Sequence, residues 1–270
     1  MTTDTITIEP FAPAHLPDAR RLSVQAGWPH RAEDWALTLS TSRGVVARAD
    51  GQVVGTALCS LLGDVATLNM IIVDEAMRGR GLGRRLMDAA MALAEEREMR
   101  LVATTDGLPL YEKLGFRSVG RVHQHQGLAQ GGVPALAVRS GTPDDAARHA
   151  ALDTAASGLQ RDSLLRRIAE EGEVLLAEGG FALIRPFGRG DVVGPIVADD
   201  PDTARALLTE AARRHEGRFL RVDLRDPGLV PLATDLGLAP AGGGTAMVKN
   251  ARPMPAATAK TYALVSQALG

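Results

Sequence analysis

Four arginines and three glycines alternate through one short segment, MRGRGLGRRLMDAA, at residues 77–90. An apolar-periodic helix begins within it, near Leu86. The N-terminus of a helix carries about half a positive charge, so arginines are unfavourable there unless an anion binds. Glycines let the backbone approach a ligand closely, and the unpaired N–H groups of a helix start bind phosphates. The segment therefore predicts a site for a phosphate or pyrophosphate.

The spacing of this segment excludes two other phosphate-binding motifs. A dinucleotide fingerprint, G-x-G-x-x-G, would need a glycine where the chain has Arg84. A Walker loop would need the sequence G-K-[ST], which does not occur in the chain.

Composition limits the class of protein that carries this segment. The net charge of −2 argues against a nucleic-acid-binding domain, and one cysteine excludes an internal disulfide framework or a multi-cysteine zinc site. The start MTTDTITIEP lacks the basic and apolar parts of a signal peptide, and no apolar run approaches 18 residues. We expect a cytoplasmic protein with no bound metal, no nucleic acid and no membrane contact.

The order of the predicted elements occurs twice along the 270 residues. Each half reads as strand, two helices, hairpin, apolar strand, helix, strand and short helix. In the first half the hairpin turns at Asp50-Gly51, and the helix after the arginine-glycine segment extends to about Arg97. In the second half ALAVRS begins the series as a strand, and a helix capped by Thr142 follows. We predict a mixed α/β fold with two domains, residues 1–135 and 136–270.

Three pieces of the first half, in order, are similar to the GCN5-related N-acetyltransferase (GNAT) superfamily. They are the strand MIIVDEAM, the loop RGRGLG, which fits the motif [QR]-x-x-G-x-[GA], and the later LYEKLGF. The resemblance implies tandem GNAT-like domains, each with a mostly antiparallel sheet flanked by helices. It also implies an acetyltransferase that uses acetyl-coenzyme A (acetyl-CoA).

The same resemblance assigns residues to the two parts of acetyl-CoA. The loop amides would bind the pyrophosphate, the exposed strand edge would pair with the pantetheine arm, and nearby side chains would add contacts. The residues concerned are Ile71, Ile72, Val73, Arg78, Gly79, Arg80, Gly81, Leu82, Gly83, Arg84 and Thr104. Thr104 stands where many members of the family have an asparagine, so its contact is a hydroxyl in place of an amide.

Tyr111 is the candidate catalytic residue. By resemblance its hydroxyl would protonate the departing thiolate, and a phenol with an ordinary pKa near 10 is a proton donor at neutral pH. The alternative is a tyrosine that packs its helix against the sheet. No residue stands out as the base that accepts the proton of the amine: Asn69, Asp74, Asp106, His30 or a chain of water molecules could each do so.

The segment GWPHRAEDW at residues 27–35 holds both tryptophans of an aromatic-poor chain. In the GNAT superfamily this region lines the acceptor side, so Trp28 and His30, with Asn69, are candidate substrate-binding residues. The structural alternative is that the tryptophans fasten two helices to the sheet, which is the preferred interpretation for Trp35.

The second half lacks the residues that carry this chemistry. The acidic segment VADDPDTARALL replaces the arginine-glycine loop, and Ala233 stands where Tyr111 would recur. This half resembles the degenerate C-terminal domain of a bacterial tandem acetyltransferase, with Asp153 and Arg161 more typical of a structural ion pair than of a pocket.

The resulting interpretation is an N-acetyltransferase in which a primary amine attacks the thioester directly within a ternary complex. The acceptor is a small molecule or a protein, and the enzyme is a monomer or a homodimer. The alternative functions are a non-catalytic sensor of acyl-CoA and a scaffold protein.

Overall fold

A computed structural model describes residues 6–254 and 256–270 of the chain. These residues form two compact units, one ending at Leu101 and including Val248–Ala251, the other comprising the remainder. The strand predicted for TITIEPF starts at Thr5, and this residue with the four before it lies outside the described residues. No helix of the described residues is long and apolar enough to cross a membrane.

The first unit is built on a five-stranded sheet in the order β1-β2-β3-β4-β5. All its pairs are antiparallel except β4 with β5, which is parallel. Helix α3 packs against β2, β3 and β4, while α1 packs against β3 and β4. The elements are β1 Thr7–Pro10, α1 Leu16–Gln25, α2 Ala32–Ser40, β2 Ser42–Ala49, β3 Gln52–Leu62, β4 Val65–Val73, α3 Leu82–Ala94 and β5 Glu98–Ala103.

Strand β4 is the central strand that the apolar run VATLNMIIV predicts. Every residue from Val65 to Met70 is buried, so both faces of the strand are covered, because successive side chains point to opposite faces. The hairpin between β2 and β3 also forms as predicted, with left-handed backbone at Asp50 and Gly51 (φ 48° and 78°).

The second unit contains the sheet order β12-β6-β11-β13-β10-β9-β8-β7. Strand β6 pairs antiparallel with β11, and β13 lies between β11 and β10. The elements are α4 Leu108–Lys113, β6 Arg117–Leu128, β7 Arg139–Ser140, α5 Pro143–Ser157, α6 Asp162–Glu171, β8 Glu173–Ala177, β9 Gly180–Phe187, β10 Gly190–Ala198, α7 Pro201–Arg214, β11 Phe219–Leu224, α8 Val230–Asp235, β12 Ala239–Lys249 and β13 Lys260–Ala263.

Thr142 caps α5 as predicted, since its hydroxyl accepts from the N–H of Asp145 at 3.3 Å. Two element boundaries are wrong in the sequence prediction. Helix α3 ends at Ala94 rather than near Arg97, because Glu95 takes a left-handed conformation (φ 55°) that ends the helix. The strand predicted for ALAVRS shrinks to the two residues of β7.

Strand β12 is absent from the sequence prediction because three glycines, at positions 242–244, interrupt its pattern. The structure shows why they are there: a Cβ on Gly243, whose φ is 131°, would overlap the carbonyl oxygen of Val122. The compact units divide after Leu101, whereas the internal repeat predicts a boundary between residues 135 and 136. Compactness and sequence repetition are different criteria, so the repeat boundary stays a prediction.

Candidate active site

The arginine-glycine loop connects β4 to α3 in the first unit. A short 3-10 turn, Glu75–Met77, leads into it, and α3 begins directly after Gly81. Gly79 and Gly81 have left-handed backbone, with φ of 76° and 74°, which residues with a Cβ adopt only at a cost. Glycine at these two positions therefore sets the path that brings the strand into the helix.

Among the described residues, no side chain caps the start of α3. Gly81 offers no capping oxygen, and the first turn holds no acidic residue. Arg78 and Arg80 are exposed, and neither has an ion-pair partner among the described residues. The helix thus presents N–H groups and two arginines without an anion of its own, which fits the pyrophosphate of a nucleotide-like ligand.

The other two arginines of the loop are engaged within the first unit. Arg84 lies 3.6 Å from Asp88 one turn later, and Arg85 donates to the carbonyl oxygen of Ile6 at 3.0 Å. The Arg84 pair is exposed, so it is weak and leaves the guanidinium able to contact a ligand.

One edge of β4 is open beside this loop. Strand β5 pairs with β4 in parallel at only three positions, from Val65 to Thr67, and residues 68–73 have no partner on β5. On the other side β4 stays paired with β3, with a register shift where Met70 has φ 50°. The backbone groups of Ile71–Val73 along the open edge can therefore pair with the amides of an extended ligand.

Tyr111 lies in the second unit, on the short helix α4. Its side chain is buried, and its ring meets that of Phe116 edge-on at 6.3 Å between centroids. A Cβ at Gly107 would come within 2.7 Å of the ring, so a glycine is needed beneath it. Burial raises the pKa of Tyr111 to about 12, so the phenol is fully protonated at neutral pH and can act only as a proton donor there.

Thr104 stands just before α4 in the same unit. Its hydroxyl accepts from the N–H of Gly107 at 3.2 Å, which fixes the turn that starts the helix. Its proposed contact with the cofactor stays a prediction.

Trp35 has the structural role that the sequence favoured. Its indole N–H donates to the hydroxyl of Ser23 at 2.6 Å, and its ring stacks on Phe11. Trp28 and His30 lie together in the connection between α1 and α2, with ring centroids 5.8 Å apart. The structure thus separates Trp35, a core residue, from two partly exposed aromatic residues that stay candidates for acceptor binding.

Asn69 and Asp74 differ sharply as candidates for the amine site. Burial acts to raise the pKa of Asp74, but a hydrogen bond from the Ala76 N–H and the Arg21 guanidinium hold that pKa below its usual range. A carboxylate held ionised by these partners is a poor proton acceptor. Asn69 is buried in the sheet and donates to Ser60, a partner that the sequence analysis did not single out.

The second half carries a different arrangement at the corresponding elements. Asp200 caps α7, and one of its carboxylate oxygens accepts from the N–H groups of Asp202 and Thr203 at 2.8 and 2.9 Å. Ala233, in place of a tyrosine, is fully buried on α8. The sequence prediction that this half has no place for a pyrophosphate is consistent with this capped helix start.

Asp153 and Arg161 form a buried, two-point ion pair with distances of 2.8 and 2.9 Å. Arg161 also donates to the carbonyl oxygen of Leu269 at 2.8 Å, which ties α6 to the segment after β13. The pair is structural, as the sequence analysis favoured. Within the described residues, no group of three or more His, Cys, Asp or Glu side chains is arranged to hold a metal ion.

Comparisons with known proteins place both halves in one class. A family model described as "Acetyltransferase (GNAT) family" matches residues 10–116, and one described as "Acetyltransferase (GNAT) domain" matches residues 150–263. The uncharacterized N-acetyltransferase YitH of Bacillus subtilis is 30% identical over 224 residues, which cover 78% of this chain and 79% of YitH.

Two solved structures share the fold. A putative acetyltransferase from Pyrococcus horikoshii superposes with a TM-score of 0.84 at 18% identity, over 100% of this chain and 98% of that one. A tandem GNAT protein from the clavulanic acid biosynthesis pathway superposes with a TM-score of 0.64 at 16% identity, over 92% of this chain and 100% of that one.

Proposed function

Because the chain belongs to the GNAT family of acyltransferases and has two such domains in tandem, we propose that it transfers an acetyl group from acetyl-CoA to a primary amine. The first half carries the cofactor loop, and the second half has no cofactor site of its own. The acceptor is an amine of a small molecule or a protein, and the enzyme is a monomer or a homodimer. The single buried cysteine suits a reducing cytoplasm.

The observation that carries this proposal is the uncapped start of α3 beside the open edge of β4. The amides of residues 79–84, with Arg78, Arg80 and Arg84, would hold the pyrophosphate, and Ile71–Val73 would pair with the pantetheine arm. Thr104 would add a hydroxyl contact. When bound, acetyl-CoA supplies an acyl group activated as a thioester.

Tyr111 supplies the proton that the sulfur of coenzyme A needs when the thioester breaks. Its raised pKa keeps the phenol protonated at neutral pH, so a proton is available, although the same burial makes it a weaker acid than an ordinary tyrosine. The amine would attack the carbonyl carbon directly, the carbon–sulfur bond would break, and water would accept the proton that the nitrogen loses as the amide forms. Trp28 and His30 would line the approach of the amine, and Asn69 would contact it.

Calorimetric titration with acetyl-CoA tests the proposal, with a Gly81→Glu/Gly83→Glu variant for comparison. The wild type should bind one acetyl-CoA per chain, and the variant should bind none, because two carboxylates would occupy the phosphate site. A matched control is Arg205→Glu, which reverses a charge in the first turns of α7, and it should bind normally. Two sites per chain would contradict the assignment of the second half, and no binding would remove the enzymatic proposal.

A further inference from the structure

A directed chain of hydrogen bonds crosses three strands of the first unit. Ser42 Oγ donates to the carbonyl oxygen of Thr38, at the end of α2, at 2.7 Å. Since that hydrogen is used, Ser60 Oγ donates to Ser42 Oγ at 2.6 Å. Asn69 Nδ2 in turn donates to Ser60 Oγ at 2.9 Å. Each hydroxyl in the chain therefore both accepts and donates, and the direction is fixed by the helix carbonyl.

This direction fixes the orientation of the Asn69 amide. Its second Nδ2 hydrogen points to the carbonyl oxygen of Thr67 at 3.2 Å, so both donors are in use. The amide oxygen, Oδ1, must then face away from the chain. It is buried and has no hydrogen-bond partner among the described residues.

Thr67 Oγ1 is a second buried oxygen without a partner in the described part of the chain. Thr67 and Asn69 are each only 5% exposed, and residues two apart on a strand share one face of the sheet. Both lie where β5 leaves β4, at the start of the open edge. A buried polar atom without a partner destabilises the fold, and two on one face indicate that a ligand or water supplies the missing hydrogens.

Two charged residues of β5 beside Thr67 pair with each other. Arg100 on β5 is in register with Thr67, and its guanidinium pairs with the buried carboxylate of Glu98 at 2.5 Å. Neither Thr67 Oγ1 nor Asn69 Oδ1 has a hydrogen-bond partner among the described residues, so no described carboxylate accepts from the Thr67 hydroxyl. Burying an ammonium without a counter-charge is costly, whereas an uncharged amine loses only hydrogen bonds that the two oxygens can replace.

We propose that Asn69 Oδ1 and Thr67 Oγ1 accept the N–H groups of an uncharged acceptor amine, which makes α-amino groups the preferred substrate class. An α-amino group has a pKa of about 7.8 and a lysine side chain one of about 10.4. At pH 7.5 roughly a third of the former but only about 0.1% of the latter is uncharged. The inference rests on the proposed function, because it concerns the amine that this reaction consumes.

Two matched threonine variants separate binding from stability. Thr67→Val removes a hydroxyl without a partner, so the melting temperature should stay the same or rise. Thr56→Val, on β3, removes a hydroxyl that donates to the Met70 carbonyl at 2.7 Å, so the melting temperature should fall. The Michaelis constant for alanine amide should nevertheless rise at least fivefold in Thr67→Val and less than twofold in Thr56→Val. A merely structural Thr67 would give the opposite pattern.

Asn69→Asp tests the substrate class, because it places a carboxylate where the amide oxygen lies. The ratio of kcat/KM for alanine amide to that for the side chain of Nα-acetyl-lysine amide should exceed 10 in the wild type. It should fall at least tenfold in Asn69→Asp. If this variant does not fold, Asn69→Ser replaces it and should raise the Michaelis constant for alanine amide at least fivefold.

Acetyl-CoA affinity, measured by calorimetry on each variant, keeps the two proposals apart. It should stay within twofold of the wild type, since neither oxygen belongs to the cofactor loop or to Ile71–Val73. The inference would be overturned if the wild type acetylated lysine side chains better than α-amino groups, or if the variants had unchanged Michaelis constants. In either case water would be the partner of the two oxygens. A wild type that binds acetyl-CoA but acetylates no amine would instead overturn the proposed function.

Discussion

Each half contains an equivalent pair of parallel strands, β4 with β5 in the first half and β10 with β11 in the second. The two halves differ in what pairs with the rest of the first strand of each pair. In the first half β5 pairs with β4 at three positions, and the rest of that edge of β4 stays open. In the second half β11 pairs with β10 at three positions, Asp191–Val193, but β13 then continues the pairing along β10 from Ile196 to Ala198. The first half thus leaves part of one edge of β4 unpaired, whereas in the second half β13 pairs with the corresponding part of β10.

The helices that follow these strands differ in the same sense. Helix α3 starts after a glycine and has no capping side chain, whereas the carboxylate of Asp200 caps α7. An anion and an extended chain are the two things that acetyl-CoA would bring to the first half. The second half contains both already, as a carboxylate and a strand. Under the proposed function, the comparison teaches that a domain without the ligand can keep its fold when the chain itself supplies the missing partners.

The largest expected effect is on kcat, and it tests the difference between the two halves with one tyrosine from each, Tyr111 and Tyr262. Tyr111→Phe should lower kcat by about 100-fold, the lower end of what general acids contribute, while Tyr262→Phe should leave kcat unchanged. Steady-state assays of coenzyme A release measure both. Equal rates in the two variants would remove Tyr111 from the mechanism.

The pKa of Tyr111 adds a test of the same assignment. A proton donor loses activity as pH rises through its pKa, which burial places at about 12. The wild-type rate should therefore show no decline from Tyr111 ionisation below about pH 11. A basic limb near pH 10 that disappears in Tyr111→Phe would contradict the raised pKa.

A smaller effect tests the covering strand β13. Tyr262→Ala should lower the free energy of unfolding by about 3 kcal/mol, because the side chain is 1% exposed in the core of the second half. Denaturant titration measures the loss. Calorimetry should still find one acetyl-CoA per chain, and the appearance of a second site would mean that β13 alone had blocked it.

The smallest effect compares the two helix starts. Arg80→Ala removes a cation near the uncapped start of α3 and should stabilise the protein without ligand by roughly 0.5 kcal/mol, while weakening acetyl-CoA binding. Asp200→Ala removes the cap of α7 and should lower the melting temperature without changing acetyl-CoA affinity. Thermal melts with and without acetyl-CoA measure both changes. Identical signs in the two variants would contradict the comparison.

The Asp200 cap also makes the stability of the protein depend on pH. Hydrogen bonds from the backbone and side chain of Thr203 hold the pKa of Asp200 below its usual range. Its contribution to stability is therefore complete above the ordinary aspartate pKa and is lost as pH falls through the lowered value. The difference in melting temperature between wild type and Asp200→Ala should accordingly shrink below about pH 4.

Local signals account for what the sequence predicted well. A predominantly apolar segment predicted the extent of β4, and glycines before a helix identified positions 79 and 81, where the backbone is left-handed. The cap at Thr142 follows from the three residues after it. Each of these features depends on residues that are close together in the chain, so the sequence alone is enough to predict it.

Distant pairing accounts for what the sequence could not predict. The three glycines of β12 are typical of a loop in the sequence, because the contact of Gly243 with the distant Val122 is visible only in the structure. The chain from Ser42 through Ser60 to Asn69 joins three common polar residues on three strands, and only the register of the sheet brings them together. The covering role of β13 likewise follows from pairing with β10, more than 60 residues earlier in the chain.

The pairing of β6 with β11 has a consequence for synthesis on the ribosome. Strand β6 ends at Leu128, and its partner residue there is Phe219, which is translated much later. At about 5–20 residues per second the nascent strand waits roughly 5–20 s with that edge unpaired. An exposed strand edge can pair with another chain. During translation this edge of β6 therefore stays open to pairing with another chain until β11 has been made.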